Sequence, residues 1–388
     1  MIHRKRVIIL TMHFPPPFTG AATRIWYMTK HLTKKGYEVY IVELVRRKKT
    51  SAYKFVTNKV ITLPNKLRRW IRIFGLESLD YLKKINPDLV IATNPPREAV
   101  KIALRLFKDS STIICDIHDI TDEYKLLYGK IKGFIYRVYY GPLYNELRRC
   151  DLVLAATEAM ARVIEQRTGK KVYPVLNGAD IDLYTKAYET YVNKKVCDPY
   201  CIGVFLGSLD WEYQRLDSLI KALYILKKDY KFYMKLRIIG SGKLLPTYMK
   251  IVKELRIGDQ VKFYGYINRE QVPWIIASSD FGIVSRPAYK NAWIMTSMRM
   301  SIFDYLSSGI PILAYGPEIS YTRIFIEKNR IGIYIGSDDP RILADHIFNN
   351  LKKLIGIKKR WCRKVAEKYK WENTLKPLLD YIQSLDYR

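Results

Sequence analysis

Short apolar runs alternate with helical patterns along this chain, and the alternation is completed twice. Arg6 to Phe14 (RVIILTMHF) is a continuous apolar run, the kind of strand that is buried on both faces of a parallel sheet. After the loop PPPFTGAA comes a helical pattern, TRIWYMTKHLTKKG, closed by Gly36 and followed by the strand YEVYIVEL. PDLVIATN (Pro87 to Asn94), a helix through Phe107, STIICDIHD (Ser111 to Asp119) and DLVLAAT (Asp151 to Thr157) extend the series. A second series opens at CIGVFLGSL (Cys201 to Leu209) and runs through a helix from Asp217 to Lys228, then KLRIIGSG, QVKFYGYI, DFGIVSRP, IPILAYG and IGIYIG. Strands that alternate with helices in this way predict an α/β chain of doubly wound parallel sheets.

At 388 residues the chain is long enough for two cores, each of ordinary domain size. The region from Ala187 to Tyr200 is polar and lacks an apolar period, so the boundary is expected there: residues 1–190 and 191–365 form two Rossmann-like domains. Residues 366–388 contain WENTLKPLLDYIQSLDYR, which reads as a terminal helix interrupted near Pro377. Open α/β sheets bind ligands outside the carboxyl ends of their strands, so a cleft between two such edges is the expected site.

Composition narrows the function classes. No apolar run approaches the length of a membrane span, and the start MIHRKRVIILTMHF meets three prolines before a signal-peptide core could form, so neither a span nor a secretion signal is expected. Lysine and arginine total 67 against 37 acids, a formal charge of +30, which concentrates anionic partners. Ten basic residues from Arg46 to Arg72, and no acid, lie between Glu43 and Glu77. There Arg68, Arg69 and Arg72 interleave with Leu67, Trp70, Ile71 and Phe74, a pattern that suits an anionic membrane surface. Cys197 and Cys201 have no second pair and no nearby histidine, which argues against zinc. A reduced, cytoplasmic protein is expected, and the abundance of Tyr, Ile, Lys and Arg suggests a thermophile.

Several segments carry candidate chemistry. MSIFDYLSSGIPILA (Met300 to Ala314) reads as a short helix ending on a glycine, with Asp304 one turn in. A carboxylate there can accept from ribose hydroxyls while the helix start faces phosphates. HFPPPFTGAATR places Gly20 and two alanines in the first strand–helix loop, where small residues let backbone N–H groups approach a phosphate or sugar. Asp116, His118 and Asp119 end a strand, where they can orient a hydroxyl. Asp180 and Asp182 spell D-x-D but follow an Asn-Gly turn, and a helix cap suits them better than a metal. In IIGSGKLLP, Gly240 and Gly242 lack the third glycine of a dinucleotide fingerprint, and Leu244 replaces the hydroxyl residue of a P-loop.

Taken together, these segments resemble the family-4 glycosyltransferases of the GT-B fold. Met300 to Ala314 is similar to the family's E-A-M-A-x-G-x-P-V segment, with Asp304 where the ribose-binding Glu lies. HFPPPFTGAATR resembles its P-x-x-G-G-x-x-x-R loop through Gly20, Ala21 and Arg24, and VYPVLNGADIDLY its P-N-G-x-D connection. The resemblance implies a nucleotide-sugar donor, retention at the anomeric carbon, a lipid-linked or glycan acceptor and no essential metal. It implies catalytic roles for His118, Asp119, Arg215 and Arg299, and donor binding by Gly20, Arg24, Gly207, Gly240, Tyr266 and Asp304. It also implies a terminal helix crossing back to the first domain. Two departures stand out: Ser208 and Gln214-Arg215 replace the usual Arg and Lys-Gly, and Thr296 stands where the first acid of an E-x7-E pair is expected.

Two other readings compete. A sugar-nucleotide epimerase shares the two-domain layout but has a cleft richer in acids and histidine. A basic nucleic-acid-binding protein fits the charge, yet no helix-turn-helix, zinc-finger or RRM signature is present, so no nucleic acid is expected as a partner. The transferase reading places the chain in the cytoplasm, peripheral on the inner face of the membrane.

Overall fold

The computed structural model describes residues 5–12, 14–15, 19–44, 59–62, 77–121, 130–193, 200–210 and 212–385. The basic run from Arg46 to Arg72, with Trp70 and Ile71, and also Phe74 fall largely outside these residues. The chain divides into two compact units, Met1–Leu176 with Thr374–Arg388, and Asn177–Asn373.

The first unit holds a parallel sheet of seven strands: β1 Arg6–Thr11, β2 Glu38–Glu43, β3 Val60–Thr62, β4 Leu89–Asn94, β5 Thr112–Ile117, β6 Leu152–Ala155 and β7 Tyr173–Pro174. Their order is β3-β2-β1-β4-β5-β6-β7, so the winding reverses between β1 and β4. β4 is buried along its whole length and β1 from its second residue on, as the unbroken apolar runs predict. The second unit repeats the plan with β8 Cys201–Leu206, β9 Met234–Ile239, β10 Val261–Gly265, β11 Phe281–Ser285, β12 Ile312–Tyr315 and β13 Gly332–Ile335, ordered β10-β9-β8-β11-β12-β13. Its winding reverses between β8 and β11, and a buried cluster including Phe205, Leu236, Phe281 and Leu313 fills the space between sheet and helices.

Two expectations are corrected, and one, the interruption of the terminal helix near Pro377, holds. The division falls at Leu176/Asn177 rather than at 190. A side chain at Gly178 would collide with Trp371, and Ala179 N donates to Tyr369 O at 2.7 Å. The chain is therefore tied to the second unit from its Asn-Gly turn onward, and the Ile181–Tyr191 helix goes with it. The terminal segment is two helices, Trp371–Thr374 and Lys376–Ser384, because Pro377 sits in the first turn of the second, where its missing N–H costs nothing. The cysteines are not all reduced: Cys115 on β5 is bonded to Cys150 ahead of β6. Asp151 N donates to Ile113 O at 2.8 Å, so the two strands bring the sulfurs together, and Cys362 is free.

Candidate functional site

At the carboxyl edge of the first sheet, Thr19 caps the Gly20–Lys34 helix by accepting from Ala22 N at 3.3 Å. One turn on, the helix delivers Arg24 into the interior, where it is 1% exposed. Its Nε and Nη2 donate to the two oxygens of Asp116 at 2.8 and 2.7 Å, and its Nη1 donates to Val175 O at 2.7 Å. The structure places the Arg24 guanidinium on Asp116 and Val175. The carboxylate of Asp116 is fully buried on β5 and needs a counter-charge, which the fork of a guanidinium supplies in the required plane.

Burial alone would raise the Asp116 pKa, but the charges and hydrogen bonds of Arg24 and His118 overcome it and hold the carboxyl far below its usual range. His118 places Nε2 2.8 Å from Asp116 Oδ2. An ionised carboxylate only accepts, so Nε2 carries the proton. Nδ1 is buried with no hydrogen-bond partner among the described residues, and with the proton on Nε2 it is the nitrogen that can accept. His118 N donates to Asn94 O at 2.8 Å, which fixes the residue against the end of β4. Asp119 follows, half-buried, in the same loop. The structure thus brings Arg24, Asp116 and His118 together, with Gly20 at the start of the helix that carries Arg24. The link between Arg24 and Asp116 was not legible in the sequence, since 92 residues separate them.

The second unit gathers another group where its winding reverses. Gly207 follows β8 and Gly240 follows β9. A side chain at Gly240 would strike the carbonyl oxygen of Gly207, and one at Gly242 would strike the backbone of Leu209 and Asp210. Both glycines have φ in the region that other residues avoid, +143° and +157°. They let two loops lie backbone to backbone, which is what Gly240 and Gly242 do in place of a dinucleotide or P-loop role.

Arg299 reaches over this corner. A Cβ at Gly207 would meet its Nη2, its guanidinium lies 5.7 Å from the centre of the Phe205 ring, and its Nη1 donates to Gln214. Next to Gln214, Arg215 has a left-handed backbone (φ 48°) and begins the Leu216–Lys228 helix. Its Nε lies 2.7 Å from Asp338 Oδ2 and its carbonyl accepts from Tyr315 at 2.7 Å. Tyr266 is exposed and follows Gly265, whose carbonyl accepts from Gly240 N at 2.9 Å. Arg286, which sequence reading passed over, follows β11, the strand beside β8. Its position immediately after the DFGIVS run was the available signal.

Asp304 is the fourth residue of the Ser301–Ser307 helix. Tyr305 anchors that helix: its ring lies against Gly282 of β11, and its hydroxyl accepts from Leu206 N at 2.9 Å and donates to Ile283 O at 3.0 Å. Tyr184 donates to Asp304 Oδ1 at 2.9 Å. Burial pushes the Asp304 carboxyl up to about 6, although that hydrogen bond and the charge of Arg269 pull it down. Asp180, of the D-x-D pair, accepts from Leu183 N and pairs with Arg269 at 2.6 Å. It caps a helix.

Comparison with known proteins adds to this geometry. Residues 18–183 match the family described as Glycosyltransferase Family 4, and residues 201–353 match Glycosyl transferases group 1. No curated protein matches the sequence. Among solved structures, HepE of Anabaena in complex with UDP and glucose aligns with a TM-score of 0.75 at 13% identity, over 98% of this chain and 100% of that one. Sucrose-phosphate synthase of Thermosynechococcus elongatus aligns with a TM-score of 0.76 at 14% identity, over 99% and 100%. WaaG, a glycosyltransferase involved in lipopolysaccharide biosynthesis, gives a TM-score of 0.69 at 16% identity, over 97% and 99%.

Proposed function

We propose, starting from a chain that is a family-4-like glycosyltransferase of the GT-B fold, that it moves a sugar from a nucleoside-diphosphate donor, with retention, to a lipid-linked or glycan acceptor. The observation that carries the donor reading is the corner formed by Gly207, Gly240 and Arg299. Backbone without side chains, a fixed guanidinium and a second arginine one residue from its Gln214 partner suit a diphosphate. As the glycosidic bond breaks, the leaving diphosphate gains charge, and Arg299 and Arg215 stabilise it without an essential metal. Asp304 accepts from the ribose hydroxyls, and His118 Nδ1 accepts from a sugar hydroxyl in the first unit. Both family matches are to glycosyltransferases, which disfavours the epimerase reading.

Activity at the inner face of an anionic membrane is part of the proposal. No helix among the described residues is long and apolar enough to cross a membrane. Support comes from the charge of +30 and from the Lys130–Tyr140 helix, which exposes Phe134, Ile135 and Val138.

A thermal-shift series with UDP, GDP and ADP tests the donor reading. UDP comes first because the HepE structure holds it. A ligand at 100 times its Kd stabilises by about 2.7 kcal/mol, and no shift with any of the three would refute a nucleotide-sugar donor.

A further inference from the structure

We infer that Tyr184 is a positioning residue for the nucleotide: it holds the charged Asp304 carboxylate by Oδ1 and so leaves Oδ2 to the ribose hydroxyls; this rests on the donor-site reading above. Tyr184 lies in the first turn of the Ile181–Tyr191 helix and is 2% exposed. Its hydroxyl donates to Asp304 Oδ1 at 2.9 Å, across 120 residues of sequence. Burial and the neighbouring carboxylate push its own pKa well above the usual phenol value, so it remains a donor throughout the neutral range. Asp304 is half-buried, and Oδ2 has no hydrogen bond to any described residue.

A carboxylate accepts best from hydroxyls when it is ionised, and burial works against ionisation. Three groups decide the balance at Asp304. The Tyr184 hydrogen bond and the charge of Arg269 favour the ionised form, whereas the charge of Asp180 opposes it. Tyr184 and Asp180 belong to one helix and its cap, and Arg269 donates to Asp180 Oδ2 at 2.6 Å. Of the other elements packed on the Ser301–Ser307 helix, Phe281–Ser285 and Val272–Ala277 carry no titratable side chain. From Lys359–Lys368, Arg363 donates to Ser307 O at the end of that helix. Tyr305, next to Asp304, is engaged with Leu206 N and Ile283 O. Without the Tyr184 hydroxyl, Arg269 alone would oppose burial. The carboxyl would then take up its proton at a higher pH, and both oxygens would lose their fixed orientation.

Titration calorimetry of the full chain across the range pH 5–8, with whichever of UDP, GDP and ADP binds, tests the inference. The ligand is the same in every arm, so a difference between profiles belongs to the protein. Tyr184→Phe is expected to move the pH midpoint of binding up by about one unit, with a loss of affinity about fivefold larger at pH 6 than at pH 8. Asp180→Asn, which keeps a helix-capping side chain but removes the opposing charge, should move the midpoint down. Tyr184→Phe added to Asp304→Asn should cost no further affinity, because Tyr184 acts through the carboxylate. An unmoved midpoint in Tyr184→Phe, a loss equal at every pH, or an upward move in Asp180→Asn overturns the inference and leaves the ribose site standing. A double variant that binds more weakly than Asp304→Asn also overturns it, and this arm decides the matter if Tyr184→Phe alone does not fold. Binding by Asp304→Asn as tight as that of the wild type at pH 8, or failure of every nucleotide to bind, overturns the donor-site reading, and the inference with it.

Discussion

The guanidinium of Arg24 and the carboxylate of Asp116 form a bidentate pair sealed from solvent, with both oxygens of the acid engaged at 2.7 and 2.8 Å. His118 leans on one of those oxygens, so the pair also sets which imidazole nitrogen carries the proton. Arg24 therefore holds Asp116 and, through it, His118.

Removing one partner of such a pair leaves an uncompensated buried charge, and Arg24→Ala is expected to destabilise the chain by about 3–5 kcal/mol. The double variant Arg24→Ala/Asp116→Asn should recover much of that loss, because no charge is left stranded. Because the folded pKa of Asp116 is depressed, its contribution is present above the unfolded carboxylate value and lost as pH falls below it. Denaturant melts of the wild type and the two variants check this. Equal stability of wild type and Arg24→Ala would show that the charge is neutralised by something else.

Asp304 behaves in the opposite sense. Burial raises its carboxyl to about 6, so its stabilising contribution is present at low pH and lost as pH rises through that value. Nucleotide affinity should follow the ionised form and fall as pH drops through about 6, while Asp304→Asn should bind more weakly and give a flat profile. Asp304→Ala should cost about 1.5–3 kcal/mol of nucleoside-diphosphate binding with the fold intact. Calorimetry between pH 5 and pH 8 decides it: a flat wild-type profile removes Asp304 from the ribose site.

Arg299→Ala and Arg215→Ala should lower kcat more than donor affinity, since the diphosphate gains charge only as its bond to the sugar breaks. A loss of about 10²–10³ in turnover is expected for a group that meets developing charge. Arg215 is paired with Asp338, so Asp338→Asn is a further probe of how firmly that arginine must be held. Wild-type turnover in both arginine variants would assign leaving-group stabilisation to other residues.

The disulfide between Cys115 and Cys150 closes a 35-residue separation around Asp116 and His118, a loop length for which chain entropy predicts about 4 kcal/mol of stabilisation. Cys115→Ala/Cys150→Ala should lower the melting temperature accordingly. An unchanged melt under reducing and non-reducing conditions would mean that the two sulfurs are not bonded in solution.

The central strands were legible because β4, β6, β11 and β12 are apolar runs buried along their whole length; all six strands of the second unit stood out as short apolar runs, although the edge strands β10 and β13 are largely half-buried, and β3 did not stand out. The corner at Gly207 was partly legible, since a glycine after a strand invites close approach. Its partner could not be read, because the contact with Gly240 depends on how two neighbouring strands end. Arg24, Asp116 and the cysteine pair were hidden for one shared reason: their contacts join elements distant in sequence, and local pattern does not encode such pairings. The unit boundary was misplaced because polarity marked the end of the Ile181–Tyr191 helix, whereas the packing of Gly178 on Trp371 decides where the second unit begins.

Docking on an anionic membrane has its structural support in the Lys130–Tyr140 helix, where Phe134, Ile135 and Val138 are 67%, 59% and 60% exposed. The stretch from Tyr124 to Asn145 contains Lys125, Lys130, Lys132 and Arg137 and no acid. Apolar side chains of this kind enter the interface, and each nearby basic residue adds about 1 kcal/mol at an anionic surface. Binding should weaken as salt rises, because the electrostatic part is screened over about 10 Å at 0.1 M. Phe134→Ser/Ile135→Ser/Val138→Ser should reduce co-sedimentation with phosphatidylserine-containing vesicles while leaving nucleotide-induced thermal shifts unchanged, since these side chains lie in the unit that does not carry the Gly207 corner. Equal partitioning of the wild type onto neutral and anionic vesicles, or onto neither, would make the exposed helix an ordinary solvated surface.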